Sequence, residues 1–337
     1  MIILYALAAL LSAAVVYQAV SSYIDARRFP PLGRLVNTGS CRLHLRHDGT
    51  GGPMVVLESG IASSSISWAL VQPQVAEFTR VASYDRAGLG WSGKSATPRT
   101  VEQMVSELAA LLKKAELPPP YVLVGHSFGG LLIRAYAHLR PAEIAGLVFV
   151  DPVSLRFWSG CAPDDLQRLQ TGARLSRRGA FLARFGVVRA ALAILASGGR
   201  RLPAWIARAS ARRATGLVSN IVGQMQKLPP VYLPMIRSHW SSPKSFRALA
   251  AYLECLPASA RAVLKMPIPP AVPFIVLSAS TATPDELRER DEWVQQNASA
   301  RHTIIENSGH WLQLERPEAV VSAIRELVAL ARHRSNS

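Results

Sequence analysis

The chain has 337 residues, 49% of them hydrophobic, and a formal net charge of +16 at pH 7. This length and apolar content suffice for one large domain with a full hydrophobic core. The three cysteines, Cys41, Cys161 and Cys255, lie far apart, which excludes a Cys-x-x-Cys motif, a cysteine-based metal site and an even disulfide framework. We predict that the protein uses no metal and no cofactor.

The N-terminus is predicted to form a membrane anchor over residues 1–24. Between Met1 and Val20 only Ser12 and Gln18 are plainly polar, and about 20 helical residues span the roughly 30 Å hydrocarbon layer. No basic residue precedes the apolar run, whereas arginines follow it at positions 27, 28 and 34. This order favours a retained single-pass anchor over a cleaved signal peptide. The positive-inside rule places the domain behind it on the cytoplasmic side.

A Pro- and Gly-containing linker is predicted at 25–33, followed by a hairpin-like stretch from Arg34 to His47. Short apolar runs then alternate with helical patterns, which predicts an α/β fold with a mostly parallel central sheet flanked by helices. Thr100–Gln103 is typical of a capping box, and Glu318–Leu330 of an amphipathic helix. The predicted strands are Met54–Leu57, Val81–Tyr84, Tyr121–Val124, Leu147–Val150, Phe274–Leu277 and, more weakly, His302–Ile305.

Residues 152–268 are predicted to form an inserted, basic helical cap that divides the core into 34–151 and 269–333, with a tail at 334–337. The cap contains 18 Lys and Arg against three acids. Within it, Phe181–Leu195 is predicted to be a basic amphipathic helix, typical of a membrane-surface element or of a lid over the protein's own active site. Further arginines follow at 200, 201, 208, 212 and 213. Without a binding module or an aromatic stacking pattern, we predict no nucleic-acid partner.

The most informative stretch is Gly125-His126-Ser127-Phe128-Gly129, which follows a buried strand and precedes a helix. Such a junction needs a very tight turn, and Gly125 and Gly129 remove the Cβ atoms that would collide there. The turn exposes the Ser127 hydroxyl above a helix N-terminus, which favours developing negative charge. We therefore predict Ser127 as a nucleophile.

A serine hydroxyl needs a general base, and His310 is the predicted one. It follows the last predicted strand directly and precedes the final helix. The other histidines lie before the nucleophile strand, inside the turn, or within helices, a strand and the tail. When the order along the chain is serine, acid and histidine, the base is expected directly after the last strand.

These motifs identify the chain as similar to the α/β-hydrolase superfamily from roughly Gly33 to Leu330. Leu57–Ile61 resembles the family's oxyanion loop, with Ser59-Gly60 where many members have His-Gly. The resemblance implies that the backbone N–H groups of Ile61 and Phe128 bind the oxyanion. Tyr84–Ser92 is like the loop after the fourth strand, and its Asp85 and Arg86 are predicted to be a structural ion pair.

The third member of the triad departs from the usual family pattern. The loop where most members carry the acid reads Ser278 to Asp285, with Ser280 and Ala282 at the usual acidic positions. Certain haloalkane dehalogenases instead place the acid at the end of the previous strand, where this chain has Asp151. We predict Asp151 as the acid that orients His310, with Asp285 in reserve.

The predicted function is hydrolysis of a carboxylic ester, apolar or lipid-derived, through an acyl-enzyme. Because one fold hosts many chemistries, an acyltransferase, an amidase or a thioesterase on the same triad stays open. A non-catalytic membrane-bound binding protein on a hydrolase scaffold is a further alternative, favoured only by the missing acid in the usual loop. The pattern leaves the oligomeric state open.

Overall fold

The computed structural model describes residues 1–196 and 227–336, and its centre is an eight-stranded sheet in the order β1-β2-β4-β3-β5-β6-β7-β8. The hairpin β1–β2 joins antiparallel at one edge, and every pairing from β4 to β8 is parallel. The strands are β1 (Arg34–Asn37), β2 (Arg42–Asp48), β3 (Met54–Glu58), β4 (Val81–Tyr84), β5 (Tyr121–His126), β6 (Ile144–Val150), β7 (Phe274–Ala279) and β8 (Ala300–Ile305).

Helices cover both faces of the sheet, so alternate residues of each central strand enter different apolar clusters. In β3, Met54 and Val56 belong to one cluster, whereas Val55 and Leu57 belong to the other. Helices α1 to α6 are Ile2–Arg28, Gln72–Ala76, Val101–Lys114, Phe128–Leu139, Leu155–Ser159 and Pro163–Ala183. Helices α7 to α12 are Val187–Ala196, Leu233–Trp240, Pro243–Leu264, Pro284–Gln295, Leu312–Glu315 and Pro317–Asn336.

The predicted α/β fold class is confirmed, with differences at the ends of elements. The weakly predicted last strand forms β8, and it starts two residues earlier than expected. The capping box at Thr100 is half formed. The Thr100 side chain accepts from the N–H of Gln103, but the Gln103 side chain donates to Glu107, one helical turn further on. A full capping box occurs instead at Thr283, the N-cap of α10.

The predicted cap interval contains helices α5 to α9 in its described part, and one prediction within it is wrong. Phe181–Leu195 is not one continuous helix, because the chain breaks at Gly186, which has a φ of +73°. Helices α6 and α7 meet there at 97°. The arginines at 200, 201, 208, 212 and 213 lie outside the described residues. The cap boundaries at 152 and 268 stay a prediction.

Helix α1 is long and apolar enough to span a membrane. It runs to Arg28, four residues beyond the predicted end of the anchor at 24. Directly after it, the carbonyl of Phe29 accepts a hydrogen bond of 3.0 Å from the Trp91 indole. The end of α1 is therefore held against the loop that follows β4.

Candidate active site

Ser127 lies in the tight turn between β5 and α4. Its φ of 54° and ψ of −117° are outside the regions that non-glycine residues normally adopt. Its N–H donates to the carbonyl of Val150 (3.0 Å), and its own carbonyl accepts from the N–H groups of Gly130 (3.0 Å) and Val153 (3.3 Å). These bonds hold the strained turn against the end of β6, an arrangement that recurs at active sites.

Gly125 and Gly129 flank this turn at the predicted positions. A Cβ on Gly125 would lie 2.5 Å from the carbonyl oxygen of Gly129. A Cβ on Gly129 would overlap the carbonyl of Glu58, in β3. Because neither position has room for a side chain, only glycine lets β5, α4 and β3 approach this closely.

His310 lies in the loop between β8 and α11, and it contacts Asp151 at the end of β6. Its Nδ1 is 2.6 Å from Oδ2 of Asp151. An ionised carboxylate only accepts hydrogen bonds, so Nδ1 donates and the Nε2 of the neutral ring keeps its lone pair. Asp151 has a φ of 42°, so it is strained in the same sense as Ser127 on the neighbouring strand.

The carboxylate of Asp151 is buried and is held by more than His310. Its Oδ1 accepts from the N–H of Ala279 (3.1 Å) and from the guanidinium of Arg290 (2.9 Å). Burial by itself would raise the pKa of Asp151. The hydrogen bond from His310 and the charge of Arg290 outweigh it and lower that pKa below its ordinary value. Asp151 is therefore ionised at neutral pH.

Arg290, which is not part of any sequence motif, is itself immobilised. Its guanidinium also donates to the Ser278 hydroxyl (2.7 Å) and to the carbonyl of Pro152 (2.6 Å). It lies in α10, 139 residues after Asp151. Because α10 also carries the buried acid Glu289 and the exposed Arg288, no signal in its sequence indicated that Arg290 contacts Asp151.

The reserve acid, Asp285, is in a different environment. It lies in the first turn of α10, is 85% exposed, and pairs with Arg288 one turn away. In the described part of the chain it makes no bond to His310. Ser280, at a usual acidic position, instead accepts from the N–H of Ser308 (3.1 Å) and donates to its carbonyl (2.8 Å). This pair of bonds fastens the His310 loop to the loop after β7.

His126, next to Ser127, supports the His310 loop from below. Its Nε2–H donates to the carbonyl of His310 (2.8 Å), and the two rings lie 4.8 Å apart. Burial, reinforced by the positive charge that His310 carries when it is protonated, lowers the pKa of His126 to about 3, so His126 is a neutral donor. Among the described residues the Ser127 hydroxyl makes no hydrogen bond to His310, a contact that often tightens only when substrate binds.

The loop after β3 lies beside Ser127. A Cβ on Gly60 would be 3.6 Å from the Cβ of Ser127. Within the described residues, neither the N–H of Ile61 nor that of Phe128 donates to a backbone carbonyl. Two free backbone donors thus flank the Ser127 turn.

Arg86 fixes the direction of one of these donors. Its buried guanidinium pairs with Glu58 and donates to the carbonyls of Ser59 (2.5 Å) and Gly60. In a planar trans peptide the carbonyl of Gly60 and the N–H of Ile61 point in opposite directions. By binding that carbonyl, Arg86 turns the Ile61 N–H away from itself. No pattern in the sequence indicated this role for Arg86.

The predicted ion pair between Asp85 and Arg86 is wrong in its partners. Asp85 binds His44 instead, at 3.0 Å between Oδ2 and Nδ1, and both side chains are fully buried. It also accepts from the N–H groups of Ser65 (2.7 Å) and Trp91 (2.9 Å). Adjacent residues at a strand end point to opposite faces, so Asp85 and Arg86 enter separate networks. Nowhere in the described ranges do three or more metal-binding side chains cluster.

Several characterised and uncharacterised proteins match part of the chain. An uncharacterised protein of Bacillus subtilis, YqjL, is 38% identical over 113 residues, or 33% of this chain and 45% of that protein. Lipase LipV of Mycobacterium tuberculosis is 38% identical over 111 residues, or 33% of this chain and 41% of that protein. These matches span less than half the length of the relatives.

Solved structures match the fold over most of the chain. An esterase from Thermogutta terrifontis has a TM-score of 0.57 at 22% identity, covering 88% of this chain and 98% of that one. An enol-lactonase from Burkholderia xenovorans has a TM-score of 0.59 at 21% identity, covering 88% and 100%. The alpha/beta hydrolase family matches residues 55–323. By this match and by its eight-stranded sheet, the chain belongs to the alpha/beta hydrolase family.

Proposed function

We propose that the protein is a serine hydrolase that cleaves carboxylic esters through an acyl-enzyme. Ser127 is the nucleophile, His310 the general base and Asp151 the acid that orients it. The observation that carries the proposal is the 2.6 Å bond between His310 Nδ1 and Asp151 Oδ2, beside the strained Ser127 turn. The esterase- and lipase-like relatives are consistent with it.

In the first half-reaction the Ser127 oxygen attacks the ester carbonyl carbon while His310 Nε2 takes the hydroxyl proton. The carbonyl oxygen becomes an oxyanion, which accepts hydrogen bonds from the N–H groups of Ile61 and Phe128. Ionised Asp151 stabilises the imidazolium. The intermediate then expels the alcohol, whose oxygen receives the proton from His310, and Ser127 is left as an ester of the acyl group.

In the second half-reaction a water molecule replaces the alcohol. His310 takes one proton from the water, whose oxygen attacks the acyl carbon, and the same donors bind the oxyanion again. When the bond to the Ser127 oxygen breaks, His310 returns the proton to that oxygen. The carboxylic acid leaves and the enzyme is restored.

An apolar acyl group is the proposed substrate feature. Trp311, the residue after His310, packs with a small apolar cluster formed by Ile66, Leu228 and Leu314. The cluster also includes Met235 and Ile236 of α8 and Tyr232 just before it. Aliphatic and aromatic walls next to the base favour an alkyl chain over a charged group.

Membrane attachment through α1 is part of the proposal. The helix carries a long exposed apolar surface, with Ile2, Leu7 and Leu10 each more than half exposed. Exposed apolar surface on this scale is unfavourable in water and suits a bilayer. We also propose the cap, residues 152–268, as the element that selects the substrate.

Covalent labelling with a fluorophosphonate probe tests the assignment of Ser127. We expect wild type to be labelled, Ser127→Ala to be unlabelled, and the exposed hairpin variant Ser40→Ala to react like wild type. A series of acyl-chain esters then measures the preference for apolar groups, and an added alcohol separates hydrolysis from acyl transfer. Folded wild type that stays unlabelled, with and without lipid vesicles, would refute the proposal and favour a binding protein.

A further inference from the structure

Helix α1 contacts the rest of the molecule along one face. Its buried and half-buried residues beyond the apolar N-terminal half share one spacing, about one per helical turn; they are Ala14, Gln18, Ser21, Ser22 and Asp25. Residues at this spacing form a single stripe along a helix. The rest of the helix surface is exposed. The anchor is thus docked on the domain by its second half and projects alone by its first half.

The docking contact is polar and is centred on Arg189 of α7. The Arg189 guanidinium binds the Asp25 carboxylate (2.5 Å) and donates to Gln18 Oε1 (3.1 Å) and the Ser22 hydroxyl (3.4 Å). Gln18 in turn donates to the carbonyl of Ser241, just after α8, at 3.0 Å. Gln18 is only 5% exposed. A partly buried ion pair with several hydrogen bonds holds one orientation far better than a flexible linker does.

Close packing supports the same contact. Gly186, at the break between α6 and α7, lies against the ring of Tyr17, and a Cβ there would be 2.9 Å from it. The φ of +73° and the close approach both require glycine. The break at which α7 turns by 97° from α6 is therefore also the site where α1 packs against the domain.

The surface next to this packing site is apolar. Arg189 is the one charged residue in the α7 sequence, VVRAALAILA, and its charge is paired with Asp25. Val187 and Leu195 of α7 are 49% and 58% exposed, and Phe181 and Leu182, in the last turn of α6, are similarly exposed. We call these four residues the α6–α7 corner. Exposed Arg184 lies within the same stretch of chain.

Helix length links this corner to the bilayer. From Ile2 to Tyr17 the helix precedes the buried Gln18, and at about 1.5 Å per residue it is roughly 24 Å long. The hydrocarbon layer is roughly 30 Å thick. If α1 spans it, the docked turn lies at or inside the edge of the hydrocarbon layer. The domain surface that holds this turn must then lie in the headgroup layer.

We propose that the α6–α7 corner is embedded in the headgroup layer of an anionic phospholipid bilayer and that docked α1 holds it there. The inference rests on the membrane attachment proposed above. Phe181, Leu182, Val187 and Leu195 supply the apolar contact, and Arg184 with Arg27 and Arg28 supplies positive charge for the headgroups. Because α1 is docked on the domain, it fixes the orientation of the domain relative to the bilayer.

Depth-dependent quenching by spin-labelled lipids tests the proposal in the full chain. Cys41, Cys161 and Cys255 are replaced by alanine, and a dye is attached to one new cysteine in vesicles of phosphatidylcholine with phosphatidylglycerol. We expect strong quenching at Leu7→Cys, headgroup-depth quenching at Val187→Cys and Leu195→Cys, and none at Arg288→Cys on α10. Quenching at Leu7 without quenching at 187 and 195 overturns the inference and leaves the anchor intact. A silent Leu7 overturns the anchor itself.

A charge exchange tests whether the contact between α1 and α7 holds the α6–α7 corner at the lipid. Arg189→Glu places two carboxylates together, so we expect quenching at 195 to fall to the Arg288 level while quenching at Leu7 persists. The double variant Asp25→Arg with Arg189→Glu restores the pair and should restore quenching at 195. If Arg189→Glu leaves the quenching at 195 unchanged, the docked anchor does not hold the corner at the lipid.

Discussion

Two buried carboxylate–arginine pairs lie at the carboxyl ends of β6 and β3, the two parallel strands that flank β5, and they serve different purposes. Asp151, which follows β6, pairs with Arg290. Glu58, the last residue of β3, pairs with Arg86. In the first pair the arginine takes only Oδ1 of the carboxylate, which leaves Oδ2 for His310. In the second pair Glu58 is occupied on both oxygens, by Arg86 and by the Tyr84 hydroxyl.

The pKa values of the two acids are shifted in opposite directions. Burial dominates at Glu58 and raises its pKa, whereas at Asp151 the hydrogen bond from His310 and the charge of Arg290 prevail and lower the pKa. Asp151 therefore presents a fixed negative charge to the base. Glu58 holds Arg86, which in turn holds the backbone carbonyls of the loop after β3. One pair acts on a side chain and the other on a peptide group.

The largest expected effect comes from breaking the Asp151 pair. Asp151→Asn keeps the shape but removes the charge and can present an amide N–H to His310, which favours the wrong tautomer. We expect kcat for an ester substrate to fall about 10⁴-fold, with an unchanged circular dichroism spectrum. Asp285→Asn is the matched control and should keep wild-type kcat. A dead Asp285 variant beside an active Asp151 variant would reverse the assignment of the acid.

Weakening the second pair should have a smaller effect on the same reaction. In Arg86→Lys the positive charge stays, but one ammonium cannot bind the carbonyls of Ser59 and Gly60 together. Misdirection of the Ile61 N–H should lower kcat by about 10²-fold with little change in KM. Arg99→Lys breaks another buried Arg–Glu pair, with Glu107, and controls for lost stability. Equal kcat losses in both variants would show that Arg86 acts through stability alone.

Removing the arginine of the first pair should sharpen the comparison at acid pH. Arg290→Met deletes the positive charge beside Asp151, so the pKa of Asp151 rises and the carboxylate protonates at higher pH. We expect kcat at neutral pH to fall about tenfold, which corresponds to a loss of about 1.4 kcal/mol of transition-state stabilisation. The acid limb of the pH–rate profile should also move to higher pH. Arg288→Met, exposed on the same helix, should leave the profile in place.

The smallest effect concerns stability, and its sign differs between the pairs. Because the pKa of Asp151 is lowered, its contribution is present above the unfolded value of 3.8 and is lost as pH falls below it. Because the pKa of Glu58 is raised, its contribution is present below 4.5 and is lost as pH rises. Between pH 3 and pH 7 we expect each contribution to change the free energy of unfolding by about 1 kcal/mol.

Denaturant titrations between pH 3 and pH 7 measure this difference. Asp151→Asn should lose less stability than wild type below pH 3.8. Glu58→Gln should lose less than wild type as pH rises above 4.5. If both variants changed the slope in the same direction, the pKa values of the two acids would be shifted in the same direction, which would contradict the difference between Asp151 and Glu58.

Local patterns determined much of this protein. The alternation of apolar runs predicted the parallel sheet, since buried strands carry that signature wherever their neighbours lie. The Gly-x-Ser-x-Gly stretch predicted a tight strand-to-helix turn at Ser127, because the clash that Gly125 avoids is with Gly129, four positions along the chain. The position of His310 after the last strand and of Asp151 after β6 came from chain order and family resemblance.

Tertiary structure alone decided which side chains contact and orient these residues. Arg290 reaches Asp151 from 139 residues away, and Arg86 binds Glu58 rather than its neighbour Asp85, because partners are chosen by how strands and helices pack. The same holds for α1. Its apolar composition indicated a membrane helix, but Gln18, Ser22 and Asp25 acquire their meaning only when Arg189 approaches from a helix that Gly186 turns toward them. Side-chain pairing depends on distances in space, which spacing along the chain does not encode.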